Sequence, residues 1–311
     1  MKVLVTCPPM IRMINRFESI FTDKGIELVI PDIIQVLSED ELIELVPTVD
    51  SWIIGDDPAT KRVFEAGKAG KLRAAVKWGV GTDNVDFEAA KRLEIPISNT
   101  PQMFGNEVAD IAIAYLLGLS RHTYKIDREV KKGNWIKPVG TSLAGKIVAV
   151  IGLGDIGRAT IRRLKGFDVK INAYDPFAKV SPVELGIDKI LIFPEEIGDA
   201  DFVILTCALT PSSTYMINEK SLEKMKRGVK IINVSRGGLI NEQALVAALR
   251  SGHVSGAALD VFEVEPIQSD NELREFEDCI FGSHNGSNTV EAVVRATEKA
   301  ITILFSYLNI S

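Results

Sequence analysis

The chain has 311 residues, enough for about two domains, and its 46% hydrophobic and 25% charged content is that of a globular protein. A formal net charge of −6 argues against a general nucleic-acid or membrane surface, so an anionic ligand needs local donors: helix N-termini, backbone N–H groups, a few placed Arg or Lys. No apolar stretch reaches the roughly 18 residues of a membrane span, MKVLVTCPPM has too short an apolar run for a signal peptide, and Cys7, Cys207 and Cys279 lack metal or disulfide spacing; a cytoplasmic protein with free thiols is expected.

From the N-terminus, KVLVT (2–6), IELVI (26–30), SWIIG (51–55), AAVKW (74–78) and IPISN (95–99) read as strands, with helical stretches such as SEDELIELV (38–46) between them. Strand and helix in alternation favour a parallel sheet covered on both faces. Asp56 and Asp57 precede Pro58 and read as a turn or helix start. SNTPQ (98–102) reads as a crossing, because Pro101 discourages helix at Thr100. The middle of the chain repeats the logic with KIVAVIG (146–152), VKINAYD (169–175), FVILT (202–206), VKIINV (229–234) and SGAALDVF (255–262), which predicts a second α/β sheet. Beyond it, Val290, Val294, Thr297, Ile301, Leu304 and Leu308 recur at helical steps; Asn288 is the expected cap, with Glu291 three residues on. This last helix is expected to return to the first domain.

VIGLGDIGR (150–158) follows a strand and opens a helix, with Gly152, Gly154 and Gly157 in G-x-G-x-x-G spacing. The first glycine permits the tight turn, the second lets a pyrophosphate approach the backbone, and the third lets helix and strand pack closely. Asp175 ends the next strand, where a carboxylate accepts hydrogen bonds from ribose hydroxyls and repels a 2′-phosphate. Pro176 and Phe177 follow with no Arg, which favours NAD over NADP. Cys207 reads either as a pocket wall or as a buried small apolar group.

Three later strand ends carry polar groups: Arg236 in IINVSRGG (231–238); Asp260, Glu263 and Glu265 in ALDVFEVEP (258–266); and His284 in IFGSHNG (280–286). Each alone also fits a plain surface or loop role. Together, at the carboxyl edge of a parallel sheet where ligands bind, they suit ketone reduction. A nicotinamide carries hydride only, a histidine can supply the proton, a carboxylate stabilises the imidazolium, and an arginine clamps an acid group. His122 and His253 lack such a setting. No H-x-x-x-H, CxxC or clustered Asp pattern suggests a metal.

These segments resemble the D-stereospecific 2-hydroxy acid dehydrogenases, the phosphoglycerate dehydrogenase-like family. The likeness runs along nearly the whole chain, through WGVGTDNVD (78–86), NTP (99–101), NEVADIAIAYLLGLSR (106–121), LAGKIVAVIGLGDIGR (143–158), AYDP (173–176), NVSRGGLI (233–240), GAALDVFEVEP (256–266) and SHNGSNT (283–289). It implies an α/β fold of two parallel-sheet domains. A Rossmann dinucleotide-binding domain (99–286) would be inserted in a flavodoxin-like substrate domain (1–98 and 287–311). NAD would be held by Gly152, Gly154, Asp155, Ile156, Gly157, Asp175, Cys207, Val234, Asp260 and Gly286, with Asp155 and Ile156 under the pyrophosphate and Asp260 at the nicotinamide amide. His284 would be the acid–base group, Glu265 its partner and Arg236 the clamp on substrate carboxylate and keto oxygen. Backbone N–H groups of Val80 and Gly81 would complete the carboxylate site.

The substrate implied is a small D-2-hydroxy acid or 2-keto acid, with phosphoglycerate the first named expectation and Lys77 and Arg12 as cations for it. The resemblance also implies domain closure around the loop that carries His284, and a homodimer formed through about 100–145. Ser283 and Asn285 flank His284 where the family usually has Pro before it and often an apolar residue after it, and Ala208 stands in place of a family Pro; these bear on loop shape. The chain stops after the last predicted helix, so no C-terminal regulatory extension is expected. An NAD-sensing corepressor-like protein and a formate dehydrogenase-like enzyme are the alternatives.

Overall fold

A computed structural model describes residues 1–310. The chain forms two compact units, Met1–Met103 together with the chain from Asn288 on, and Phe104–Ser287.

The first unit is built on β1 (Lys2–Val5), β2 (Glu27–Val29), β3 (Ser51–Ile54), β4 (Ala74–Lys77) and β5 (Ile97–Asn99). Their order is β2-β1-β3-β4-β5, and every pairing is parallel. This is the flavodoxin-like order. β3 and β4 are buried at every residue, which is why they read as apolar runs instead of alternating. Trp52 packs on Phe64 with ring centroids 6.4 Å apart, and its Nε1 donates to Thr6 Oγ1 at 2.8 Å. Burying each such side chain contributes about 1.5–3 kcal/mol. The helix Glu39–Leu45 starts on a capping box in which Ser38 and Glu41 satisfy each other's backbone N–H.

Asp57 is more than a turn residue. It is wholly buried, and its carboxylate accepts from Thr6 Oγ1, from Leu37 N at 2.9 Å and from Gly55 N at 3.1 Å. Burial pushes its carboxyl above the usual range.

The helix Val290–Leu308 packs on β3 and β4 of the same unit. Its cap is Thr289, whose hydroxyl accepts from Ala292 N at 3.2 Å, so the sequence expectation of Asn288 is off by one residue. The buried face runs through Val293, Ala296, Thr297, Ala300, Ile301 and Leu304, while Val290 is exposed. Alanines form much of this face because they let the helix approach the sheet closely, and a reading weighted to bulky residues passes over them. Trp78 Nε1 satisfies the buried Thr297 hydroxyl at 3.0 Å.

The second unit carries β6 (Ile147–Ile151), β7 (Lys170–Tyr174), β8 (Lys189–Leu191), β9 (Phe202–Leu205), β10 (Val229–Asn233), β11 (Val254–Leu259) and β12 (Ile280–Phe281). The order is β12-β11-β10-β9-β6-β7-β8, parallel throughout. This is a Rossmann sheet, with its order reversing between β6 and β9. The sequence reading missed β8, an edge strand of three residues whose pattern is too short to show a period. The helices Gly105–Arg121 and Asp155–Leu164 pack closely on each other within this unit.

Candidate active site

The glycine loop leaves β6 at the point where the strand order reverses. Gly152 has φ +102°, and a Cβ on it would lie 2.7 Å from Cys207 N. A Cβ on Gly157 would lie 1.9 Å from Gly152 O, so helix and loop can close only if that position is bare. Thr206 Oγ1 donates to Ile151 O (3.0 Å) and Gly152 O (2.9 Å), pinning the loop from β9. Gly154 differs from its neighbours: a Cβ there would meet no protein atom within 4 Å. It is also the N-cap of the helix Asp155–Leu164. Open space over a bare backbone, at a helix N-terminus, is what a pyrophosphate requires.

Asp155 begins that helix, and its carboxylate lies against Gly105 at the start of the helix Gly105–Arg121, where the second helix dipole favours a negative charge. Asp175, just past β7, accepts from Leu153 N and Phe177 N, both at 2.8 Å. Its carboxylate is thereby fixed beside the glycine loop. Burial pushes the Cys207 thiol up to about 11, which makes it an apolar wall rather than a nucleophile. Val234 is buried at the end of β10. These residues fit a dinucleotide.

The polar groups predicted at the later strand ends come from the adjoining strands β10, β11 and β12. Asn233 holds the turn that bears Arg236: its Nδ2 donates to Arg236 O at 2.8 Å and its Oδ1 accepts from Ser235 N at 3.0 Å. Arg236 Nη1 donates to Ser235 O at 2.9 Å. The next residue, Gly237, packs directly on the Phe262–Glu263 backbone, 1.9 Å from where its Cβ would be. That contact brings the arginine turn against the segment carrying the three carboxylates.

The three carboxylates then separate in role. Glu263 Oε1 accepts from Glu242 N at 2.8 Å, at the start of the helix Glu242–Arg250. Asp260 is buried and serves the loop after β12, accepting from Gly286 N at 2.8 Å. Glu265 Oε1 accepts from Phe262 N at 3.0 Å, which turns Oε2 onto His284 Nδ1 at 2.7 Å. Both side chains of this pair are 22% exposed, so the pair is sheltered yet accessible. His284 sits at φ +54°, a conformation that costs a non-glycine residue about 1–3 kcal/mol and is retained where surrounding contacts over-determine it. Here its N–H donates to Asp260 O at 2.6 Å.

His253 Nε2 bonds Leu222 O at 2.8 Å, a structural contact. His122 joins the helices Gly105–Arg121 and Thr123–Lys131.

In the first unit, Thr100 bonds Gly79 and Asn99 Nδ2 donates to Val80 O at 3.0 Å, which shapes the loop after β4. Among the described residues no acceptor lies on the N–H of Val80 or Gly81. Lys77 is buried. Its Nζ donates to Gly55 O at 2.5 Å and pairs with Asp56 at 2.9 Å, so it serves this unit's interior. Sequence reasoning passed over Tyr115, whose hydroxyl donates to Asp260 Oδ1 at 3.2 Å. The available signal was a lone hydroxyl in the apolar run AIAYLLGL.

Known proteins resemble this chain in sequence and in fold. Residues 113–286 match the family model for the D-isomer specific 2-hydroxyacid dehydrogenase, NAD binding domain. The chain is 36% identical over 281 residues to hydroxypyruvate reductase of Thermotoga maritima, covering 88% of this chain and 90% of that protein. It is 40% identical over 260 residues to D-3-phosphoglycerate dehydrogenase 2, chloroplastic, of Arabidopsis thaliana, covering 82% of this chain but 41% of that longer protein. Among solved structures, NAD-dependent formate dehydrogenase from Staphylococcus aureus in complex with NAD superposes with a TM-score of 0.88 at 25% identity, covering 99% of this chain and 96% of that one. The chain therefore belongs to the D-isomer specific 2-hydroxyacid dehydrogenases, a family of NAD-dependent oxidoreductases, and its second unit carries the family's NAD-binding domain.

Proposed function

We propose that this protein interconverts a small D-2-hydroxy acid and its 2-keto acid, with His284 as acid–base group, Glu265 as its partner and Arg236 as the carboxylate clamp. The observation that carries the reading is the 2.7 Å contact between His284 Nδ1 and Glu265 Oε2 at the carboxyl edge of the sheet that bears the glycine loop. Bound NAD supplies or accepts the hydride. Glu265 fixes the imidazole through Nδ1 and favours its charged form, so Nε2 is the atom that exchanges a proton with the substrate oxygen. The Arg236 guanidinium binds the substrate carboxylate and draws charge from the keto oxygen. In the first unit, the Val80 and Gly81 N–H groups are donors suited to a carboxylate. Gly152, Gly154, Ile156, Gly157 and Asp175 hold the dinucleotide, with Asp155 contributing backbone and Cys207, Val234, Asp260 and Gly286 forming the wall.

The substrate is a small 2-keto acid of the hydroxypyruvate and glyoxylate type. Lys77 is already paired with Asp56, which favours an unphosphorylated substrate over 3-phosphoglycerate. The His284–Glu265 pair also speaks against formate oxidation, since carbon dioxide forms there without a proton acceptor, and against a corepressor-like sensor, which has no use for one. Buried thiols at Cys7 and Cys279 suit a reducing cytoplasm. Exposed Trp135 (81%) and Val139 (93%) suit a homodimer contact in the 100–145 region.

The test is turnover of glyoxylate, hydroxypyruvate, pyruvate and 3-phosphohydroxypyruvate with NADH, followed by absorbance. His284→Ala is expected to lower kcat at least ~100-fold, the scale of a lost general acid, with NADH affinity little changed. No turnover of any substrate would favour the sensor reading.

A further inference from the structure

We infer that Tyr115 is a positioning residue for the acid–base histidine, acting through Asp260 to hold the loop on which His284 stands. The inference rests on the reading of His284 given above and adds a member that lies far away in sequence.

Asp260 gathers three successive backbone N–H groups of that loop. Its carbonyl accepts from His284 N at 2.6 Å, its Oδ1 from Asn285 N at 3.3 Å, and its Oδ2 from Gly286 N at 2.8 Å. The carboxylate is 3% exposed, so solvent does little to orient it. The donor from outside the loop is the Tyr115 hydroxyl, which donates to Oδ1 at 3.2 Å from the helix Gly105–Arg121. That helix packs on β10, β11 and β12 within the same unit, so the phenol is anchored to the strands that carry the site.

Space around this contact is tightly drawn. A Cβ on Gly282 would lie 2.0 Å from Asp260 Oδ1 and 2.4 Å from the Tyr115 hydroxyl. The chain is bare where it passes over the pair, and only a bare residue allows the pair to close. Burial, together with the Asp260 charge, pushes the Tyr115 phenol well above its usual range, so it remains protonated and can only donate to the carboxylate. The loop needs such support because His284 holds φ +54°, a conformation that relaxes once its contacts loosen. A rotated Asp260 would release Asn285 and Gly286, and the imidazole would lose its alignment with the substrate oxygen.

Tyr115→Phe keeps the ring and removes only the donor. We expect kcat for keto-acid reduction to fall about tenfold, the scale of one hydrogen bond to a charged group. In the His284→Ala background the same substitution should have no further effect, because the histidine it serves is gone. In ¹⁵N-histidine-labelled protein, the His284 ring signals should move while those of His122 and His253 stay. Unchanged kcat with an unmoved His284 signal would overturn the inference. So would an equal loss in the His284→Ala background, or shifts at all three histidines, since either makes Tyr115 a packing residue. Full activity of His284→Ala by itself would sink the acid–base reading, and the NMR comparison would still decide whether Tyr115 positions the loop.

Discussion

Glu265 Oε2 lies 2.7 Å from His284 Nδ1, although the two residues are 19 positions apart and follow different strands, β11 and β12. An anion held at that distance favours the imidazolium. Glu265→Gln keeps the shape of the contact and removes the charge. The limb of the pH–rate profile that reports the protonated histidine in keto-acid reduction should move to lower pH, with kcat at neutral pH reduced. A profile that does not move would exclude the pair from proton transfer.

Asp175 accepts from Leu153 N and Phe177 N and so is held rigidly beside the glycine loop. In Asp175→Ala the preference for NADH over NADPH should narrow by roughly tenfold, through loss of hydrogen bonds to ribose and of repulsion toward a 2′-phosphate. Initial rates with both cofactors measure it. An unchanged ratio would mean that another group reads the ribose.

Gly154 and Gly157 should behave oppositely. An added Cβ meets nothing within 4 Å at Gly154 but meets Gly152 O at 1.9 Å at Gly157. Gly154→Ala is therefore expected to fold with a melting temperature within a few degrees of the parent, and to bind NADH at least ~10-fold more weakly because the methyl occupies the pyrophosphate's approach. Gly157→Ala is expected to lose thermal stability outright. Thermal unfolding and NADH fluorescence titration together separate the two; equal behaviour would count against the cradle.

Asp57 gives a pH signature in stability. Burial raises its carboxyl above the ordinary 3.8 in the folded chain. The folded state then binds this proton more readily than the unfolded state. Its contribution to stability is full below 3.8 and is lost as pH rises through the raised folded value. Asp57→Asn cannot titrate. The stability of the parent minus that of the variant should fall as pH rises across this window, read by urea unfolding at several pH values. A difference flat in pH would place the titration elsewhere.

Features set by a few adjacent residues were legible in the sequence. The glycine loop could be read because Gly152, Gly154 and Gly157 stand at a fixed short spacing directly after an apolar run. The central strands could be read because burial on both faces writes itself as an apolar run. The short edge strand β8 and the Thr289 cap escaped, the first because three residues carry no period, the second because Asn288 and Thr289 are both good caps and packing chooses between them.

The amino-acid order by itself determined the chemistry available: a dinucleotide loop, then an arginine, three carboxylates and a histidine at strand ends. Tertiary structure alone decided their partners. The packing of β10, β11 and β12 selects Glu265 for the imidazole, Asp260 for the loop and Glu263 for a helix start, and within the first unit Gly55 O and Asp56 hold the Lys77 ammonium. Such choices depend on distances between strands brought together by burial and backbone pairing, and no local stretch of chain encodes those distances.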